Sequence, residues 1–103
     1  MMEPIKEITA AELQEMLEQD TKVSLIDVRE EEEVATGMIE GAVHIPLREI
    51  PEAIESLDKQ TEYIVICHSG VRSMNAALFM KDEGFNVHNL AGGMMKWNGE
   101  LIF

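Results

Sequence analysis

Apolar residues fall along this chain in short dense runs, separated by stretches with helical spacing. Residues 5–8 (Ile-Lys-Glu-Ile) predict a first short strand. Thr9 with Glu12 three residues later predicts a capping box that opens a helix with Leu13, Met16 and Leu17 on one face. Residues 23–28 (Val-Ser-Leu-Ile-Asp-Val) are mostly apolar, the pattern of a strand covered on both faces. Residues 30–35 predict a short acidic helix stopped by Gly37, and residues 42–45 a strand ended by Pro46. Residues 48–57 predict a helix with Pro51 near its start, where a missing N–H does little harm. The strongest strand signal is residues 63–66. A helix is expected over residues 73–83, with Gly84 as its left-handed stop, then a fifth strand over 87–90 and a last short helix over 92–97. Strands alternating with helices at this spacing predict an α/β fold, a mostly parallel sheet with helices on both faces.

At 103 residues the chain suits a single domain spanning 1–103, with no room for a second core. No apolar stretch approaches the ~20 residues needed to cross a bilayer, so no membrane is expected. The start, Met1-Met2-Glu3-Pro4-Ile5-Lys6, lacks the basic-then-apolar pattern of a leader. One cysteine excludes an internal disulfide, and a lone thiol suits a reducing compartment, so a cytoplasmic protein is expected. The formal charge of −12 is uneven: residues 1–63 hold 17 acidic and 5 basic residues, while residues 64–103 hold three of each. That balance disfavours nucleic acid, which selects basic surfaces. It also opposes a small anionic substrate, as a rate effect screened over about 8 Å at physiological salt.

The chemistry concentrates in Tyr63-Ile64-Val65-Ile66-Cys67-His68-Ser69-Gly70-Val71-Arg72-Ser73. A cysteine at a strand end is more often an inert core residue than a nucleophile. Three neighbours reverse that reading. Gly70 lets successive N–H groups converge on one point, the following helix turns its positive end there, and Arg72 adds a permanent charge with planar donors. All three favour a thiolate. An unperturbed thiol with a pKa near 8.5 is only about 3% ionised at pH 7. Lowering the pKa by about two units requires roughly 2.7 kcal/mol. A helix terminus supplies about 0.3–1 kcal/mol and charge-assisted hydrogen bonds about 1.5–3, so no general base is needed and His68 need not act as one.

These residues resemble the rhodanese (sulfurtransferase) family, as a single-domain member. Leu25-Ile26-Asp27-Val28-Arg29-Glu30 is similar to the family's Asp-Val-Arg segment, and Gly37-Met38-Ile39-Glu40-Gly41-Ala42 to its Gly-His-Ile-x-Gly-Ala segment. The Cys67 to Ser73 run resembles the active-site loop, with Ala76-Ala77 in the helix after it. Leu90-Ala91-Gly92-Gly93 with Trp97 resembles the closing signature. The resemblance implies a five-stranded parallel sheet and a sulfane sulfur carried as a persulfide on Cys67. The backbone of His68, Ser69, Gly70, Val71 and Arg72 would bind the transferred sulfur, with Asp27, Arg29 and Ser73 in support. Thiosulfate or a persulfide would be the donor, and cyanide, a thiol or a thioredoxin-like protein the acceptor. Met38 stands where the family usually has histidine, a position that reads as structural. Cysteine-x4-arginine also suits a sulfur atom better than the longer cysteine-x5-arginine loop of the related phosphatases and arsenate reductases.

Elsewhere the readings are plainer. Asp27 ends an apolar strand, so it should accept loop amides or pair with an arginine, and Arg29 should be a structural partner to an acid. The Glu30-Glu31-Glu32-Glu33 run reads as a solvated helix face without function, Arg48 as solvated surface, and Met74, Phe79 and Met80 as core. Met94 and Met95 read as core or surface rather than an active-site rim. Gly92 and Gly93 should permit a tight turn, with Trp97 anchoring the last segment. His44 and His88 lack ligand spacing, so neither metal nor cofactor is expected. A monomer is expected, since no apolar stripe is left over. A non-catalytic module binding a basic partner is the competing reading, ranked lower because Cys67 and Arg72 are both present. If the acidic field acts on substrate, the KM for thiosulfate should be high at low salt and fall as salt is added; a flat or rising KM in a salt series would refute this.

Overall fold

The computed structural model describes residues 4–103; residues 1–3, where the segment read for a leader begins, lie outside the described residues. Five strands form one sheet: β1 (Lys6–Ile8), β2 (Ser24–Asp27), β3 (Val43–His44), β4 (Glu62–Ile66) and β5 (Asn86–Leu90). Their order is β1-β5-β4-β2-β3, and every neighbouring pair is parallel. The chain returns to place β4 between β5 and β2, so the residue after β4 leaves from the middle of the sheet. Parallel neighbours need crossovers, and four helices supply or flank them: α1 (Ala10–Glu18), α2 (Glu31–Val34), α3 (Ile50–Ala53) and α4 (Val71–Asp82). Among the described residues no helix is long and apolar enough to cross a membrane.

Strand periodicity sorts the core into two layers. Ile26, Val28, Tyr63, Val65 and Cys67 pack with Ile50, Ile54, Ala76, Ala77 and Met80 on the α3 and α4 side. Leu25, Ile64, Ile66 and Leu90 pack with Leu13 of α1 and with Ile39 on the other. Cys67 therefore belongs, by its phase along β4, to the face that α4 covers. At the opening of α1, Thr9 Oγ1 accepts the Glu12 N–H at 3.0 Å and Glu12 Oε1 accepts the Thr9 N–H at 2.9 Å.

Three expectations are corrected. The helix over residues 48–57 is a 3-10 turn (Leu47–Glu49), one α-turn (Ile50–Ala53) and a second 3-10 turn (Ile54–Ser56). Pro51 cannot donate to the carbonyl of Leu47, so the regular i to i−4 ladder has no continuous path. Phe79 is 39% exposed rather than core. The buried stripe of α4 is Ser73, Ala76, Ala77 and Met80, and Phe79 falls off that helical phase while Leu78 packs partly against the core. Finally, α4 begins at Val71, two residues before its expected start. Gly70, at φ +100°, turns the chain into the helix, which brings the helix N-terminus up against Cys67.

The end of β2 is tied to α2 by a buried ion pair. Arg29 is clasped by Asp27: its Nε donates to Oδ1 at 3.0 Å, its Nη2 to Oδ2 at 2.9 Å, and its backbone N–H to Oδ1 at 3.1 Å. The same guanidinium donates to the carbonyls of Gly37 (2.8 Å) and Glu33 (3.3 Å), which fixes the exit of α2. Both side chains are almost completely enclosed. In Asp27→Ala the arginine would remain buried without its counter-charge, so we expect a loss of about 3–5 kcal/mol, read as a lowered urea midpoint. An unchanged midpoint would contradict this assignment.

Candidate active site

Cys67 follows the last residue of β4 and is itself fully buried, beneath His68, Ser69 and Val71, which are exposed. The loop from 67 to 70 turns back so that the Gly70 N–H donates to Cys67 Sγ at 3.0 Å. The Ser73 hydroxyl, on the first turn of α4, lies 3.2 Å from the same sulfur. Burial pushes the thiol pKa up. The Ser73 hydroxyl, followed by the amides of Ser73, Gly70 and Ser69, outweighs it and brings the pKa below its ordinary value. Neutral donors at a helix N-terminus thus favour the thiolate over the thiol.

Ser73 has one hydroxyl proton and two acceptors for it. Its other neighbour is Asn89 Oδ1 at 2.5 Å. When Cys67 is a thiol, the hydroxyl can donate to Asn89 and accept the S–H; when Cys67 is a thiolate, the hydroxyl turns to the sulfur. Asn89 is buried on β5 and was not singled out from sequence. Its Nδ2 donates to the Gly70 carbonyl (3.1 Å) and to Glu7 Oε2 (3.0 Å), so it fixes Ser73 and the loop together. The sequence carries no local signal for it, since β5 reads Asn-Val-His-Asn-Leu and nothing there marks Asn89 among its polar residues as the buried one.

The loop is supported from below by the segment after β5. Met94 N–H donates to the Cys67 carbonyl at 2.9 Å and Met95 N–H to that of His68 at 3.0 Å. Those bonds need backbone against backbone at Gly93, where a Cβ would lie 2.3 Å from the Cys67 carbonyl oxygen. Gly93 also has φ +54°, so it supplies the expected turn and, beyond it, a close approach only glycine allows. Met94 is half-buried and lines a cavity of about 210 Å³ with Arg29, Gly37, His68, Trp97 and Leu101, whereas Met95 is 63% exposed. Met38 forms an antiparallel bridge to Ile102, which lays the C-terminal segment beside that cavity.

Arg72 does not bond to the sulfur. Its two Nη atoms donate to Glu33 Oε1 and Oε2 at 2.6 and 2.7 Å, across 39 residues of sequence. Glu33 also accepts the Glu30 N–H at 2.9 Å. The Arg72 guanidinium first, then the Glu30 amide, hold the Glu33 carboxyl down at about 2. A depressed acid stabilises the fold above its unfolded pKa, so this contribution is complete above the ordinary carboxylate range and fades as pH falls toward 2. Glu30 in turn pairs with Arg48. The acidic run is therefore no idle solvated face: two of its four carboxylates are occupied by arginines, one of them from the active-site loop. Arg48 is exposed yet paired.

Comparison with known proteins agrees with this geometry. A model of the rhodanese-like domain matches residues 9–100. YtwF of Bacillus subtilis, named as a candidate sulfurtransferase, is 55% identical over 93% of this chain and 93% of its own length. The thiosulfate sulfurtransferase GlpE of Haemophilus influenzae is 34% identical over 91% of this chain and 89% of its own. Among solved structures, a rhodanese-like domain protein of Staphylococcus aureus superposes with a TM-score of 0.90 at 36% identity, covering 96% of this chain and 98% of that one.

Replacing Ser73 by alanine removes the strongest of the interactions that favour the thiolate. The pH profile of Cys67 alkylation by iodoacetamide should move to higher pH, with a several-fold slower rate at neutral pH. A profile superimposable on that of the unaltered protein would show that the hydroxyl does not tune the sulfur.

Proposed function

The chain belongs to the rhodanese-like family, and from that premise we propose that it is a sulfurtransferase working through a Cys67 persulfide. The carrying observation is the donor set around one sulfur: the Gly70 amide and the Ser73 hydroxyl at the N-terminus of α4. The Cys67 thiolate attacks the outer sulfur of a sulfane donor. The donor's S–S bond breaks with its electron pair on the leaving group, which is sulfite when thiosulfate is used. Cys67 then carries the sulfur as an anionic persulfide. An acceptor thiolate or cyanide attacks that outer sulfur and restores the Cys67 thiolate, so the cycle needs no external oxidant and follows two separated steps.

A terminal sulfur would lie about 2 Å beyond Sγ, within the loop whose Ser69 and Val71 are exposed, where the loop amides would hold its charge. Cys67 lies below those residues, so a donor must enter the ring of the loop to react. Asp27, Arg29 and Asn89 serve as positioning residues, each acting through the backbone of α2 or of the loop. The short cysteine-x4-arginine loop supports sulfur transfer over phosphoryl or arsenate chemistry. A lone reactive thiol is best kept in a reducing cytoplasm, and the domain in our reading acts as a monomer.

Incubation with sulfane donors should add one sulfur atom, about 32 Da, to Cys67, and a thiol reductant should remove it; Cys67→Ser should stay unmodified. Intact-mass spectrometry decides the matter. An unmodified Cys67 with every sulfane donor would overturn the proposal.

A further inference from the structure

All three arginines of the chain are committed to carboxylates of the chain itself: Arg29 to Asp27, Arg48 to Glu30 and Arg72 to Glu33. Two of those carboxylates come from α2 and the residue that opens it. Arg72 is the significant case, because it alone belongs to the loop around the reactive sulfur. Both of its Nη atoms are taken by Glu33 in the fork geometry that suits one carboxylate. Glu33 is itself held by the Glu30 N–H, so the pair is fixed at both ends. Lys96, on the segment that supports the loop, lays its stem over Gly92 and lines a different cleft with Thr9 and Gln14.

A donor approaching Cys67 therefore meets an arginine whose charge is already balanced, in a chain of net charge −12. A dianion gains little there and is opposed by the thiolate it must reach. Beside the exposed His68 and Ser69, two apolar side chains stand out of the loop region: Val71 is 67% and Met95 63% exposed, the latter bonded through its backbone to His68. Carbon-bound donors suit such a rim better than an inorganic oxyanion does.

We propose that Glu33 is the specificity-determining residue of this site. By holding Arg72 it turns the Cys67 pocket away from dianionic donors such as thiosulfate and toward persulfides on a carbon-bound thiol, R–S–SH. This rests on the sulfur-transfer reading above. In that step the Cys67 thiolate attacks the outer sulfur of R–S–SH. The S–S bond breaks, its electron pair leaves with R–S as the thiolate, and Cys67 keeps the outer sulfur, whose proton passes to the departing thiolate or to solvent to leave the anionic persulfide. No further reductant or oxidant enters.

The test compares the full-length protein with Glu33→Gln, which keeps a hydrogen-bond acceptor but releases the charge of Arg72. Glu32→Gln is the control: Glu32 is exposed on the same turn, and its loss changes net charge equally. The first readout needs no sulfur transfer. It is the ratio of Cys67 alkylation rates with anionic iodoacetate and neutral iodoacetamide, which should rise about threefold in Glu33→Gln and stay unchanged in Glu32→Gln. The second is the KM for thiosulfate against that for a singly charged arenethiosulfonate. Glu33→Gln should lower the first about tenfold and the second about threefold, with kcat within about twofold. An unchanged alkylation ratio overturns the role of Glu33. So does an equal response in Glu32→Gln, or a common shift of both KM values with a fall in kcat. If neither protein forms a persulfide with any donor, the sulfur-transfer reading and the donor class fall together, while the alkylation ratio still decides whether Glu33 sets charge selectivity.

Discussion

Burial alone would push the pKa of the Cys67 thiol up, yet the Ser73 hydroxyl and the amides of Ser73, Gly70 and Ser69 outweigh it and bring it below its ordinary value. The rest of the structure can be traced from this competition. The donors act only if they point inward, and that requires a left-handed Gly70, a helix starting at Val71 rather than later, and a backbone held from beneath by Met94 and Met95 N–H groups. Gly93 makes that support possible, since any side chain there would collide with the carbonyls it must approach. One anion's environment thus constrains the turn before α4, the turn after β5, and the buried amide of Asn89 that joins them.

The sheet explains why these pieces meet. Ligands of open α/β sheets bind beyond the carboxyl ends of the strands, where neighbouring connections diverge. Here Asp27 ends β2, Cys67 follows β4, and Asn89 lies one residue before the end of β5. The β2 to β4 register sets Asp27 beside Ile66, and the Val28 N–H continues the ladder to the Ile66 carbonyl at 2.8 Å. The buried clasp on Arg29 is therefore next door to the cysteine in space, though 38 residues away in sequence. It fixes the exit of α2, and α2 carries the glutamate that takes Arg72. Support passes from strand end to helix turn to loop through backbone carbonyls and paired charges.

Much of this was legible in the chain because the signals are local. An apolar run ending in cysteine, a glycine three residues on and a helical pattern behind it specify a strand, a tight loop and an N-terminus aimed at one atom. Thr9 and Glu12 wrote their capping box in the same way. What stayed hidden was tertiary. Nothing within four glutamates in a row distinguishes the one that pairs across the molecule, since pairing depends on where α2 comes to rest against α4. Asn89 is one of three polar residues in β5, and only the fold brings Ser73 and Gly70 to its two ends. Phe79 looked apolar and therefore buried, but the helix phase set by Ser73, Ala76, Ala77 and Met80 turns it outward. Pro51 does sit in the first turn of a helix, as its missing N–H suggested, but that helix is a single turn flanked by 3-10 turns.

Arg72 shows how the two kinds of electrostatics divide the work. A guanidinium facing the sulfur would favour the thiolate, but its free charge would also draw any anion to the pocket mouth. Hydrogen-bond donors without net charge stabilise the anion they touch, and their influence fades within a turn of the helix. With Glu33 on its fork, Arg72 contributes a nearly neutral pair that braces the loop against α2, and the stabilisation of sulfur falls to amides and one hydroxyl. A site made in this manner can favour an ionised nucleophile in a chain of net charge −12 without becoming a receptor for inorganic dianions. Charge selectivity and sulfur activation are then set by different residues, so a change at α2 can alter which donors are used while the chemistry at Cys67 is preserved.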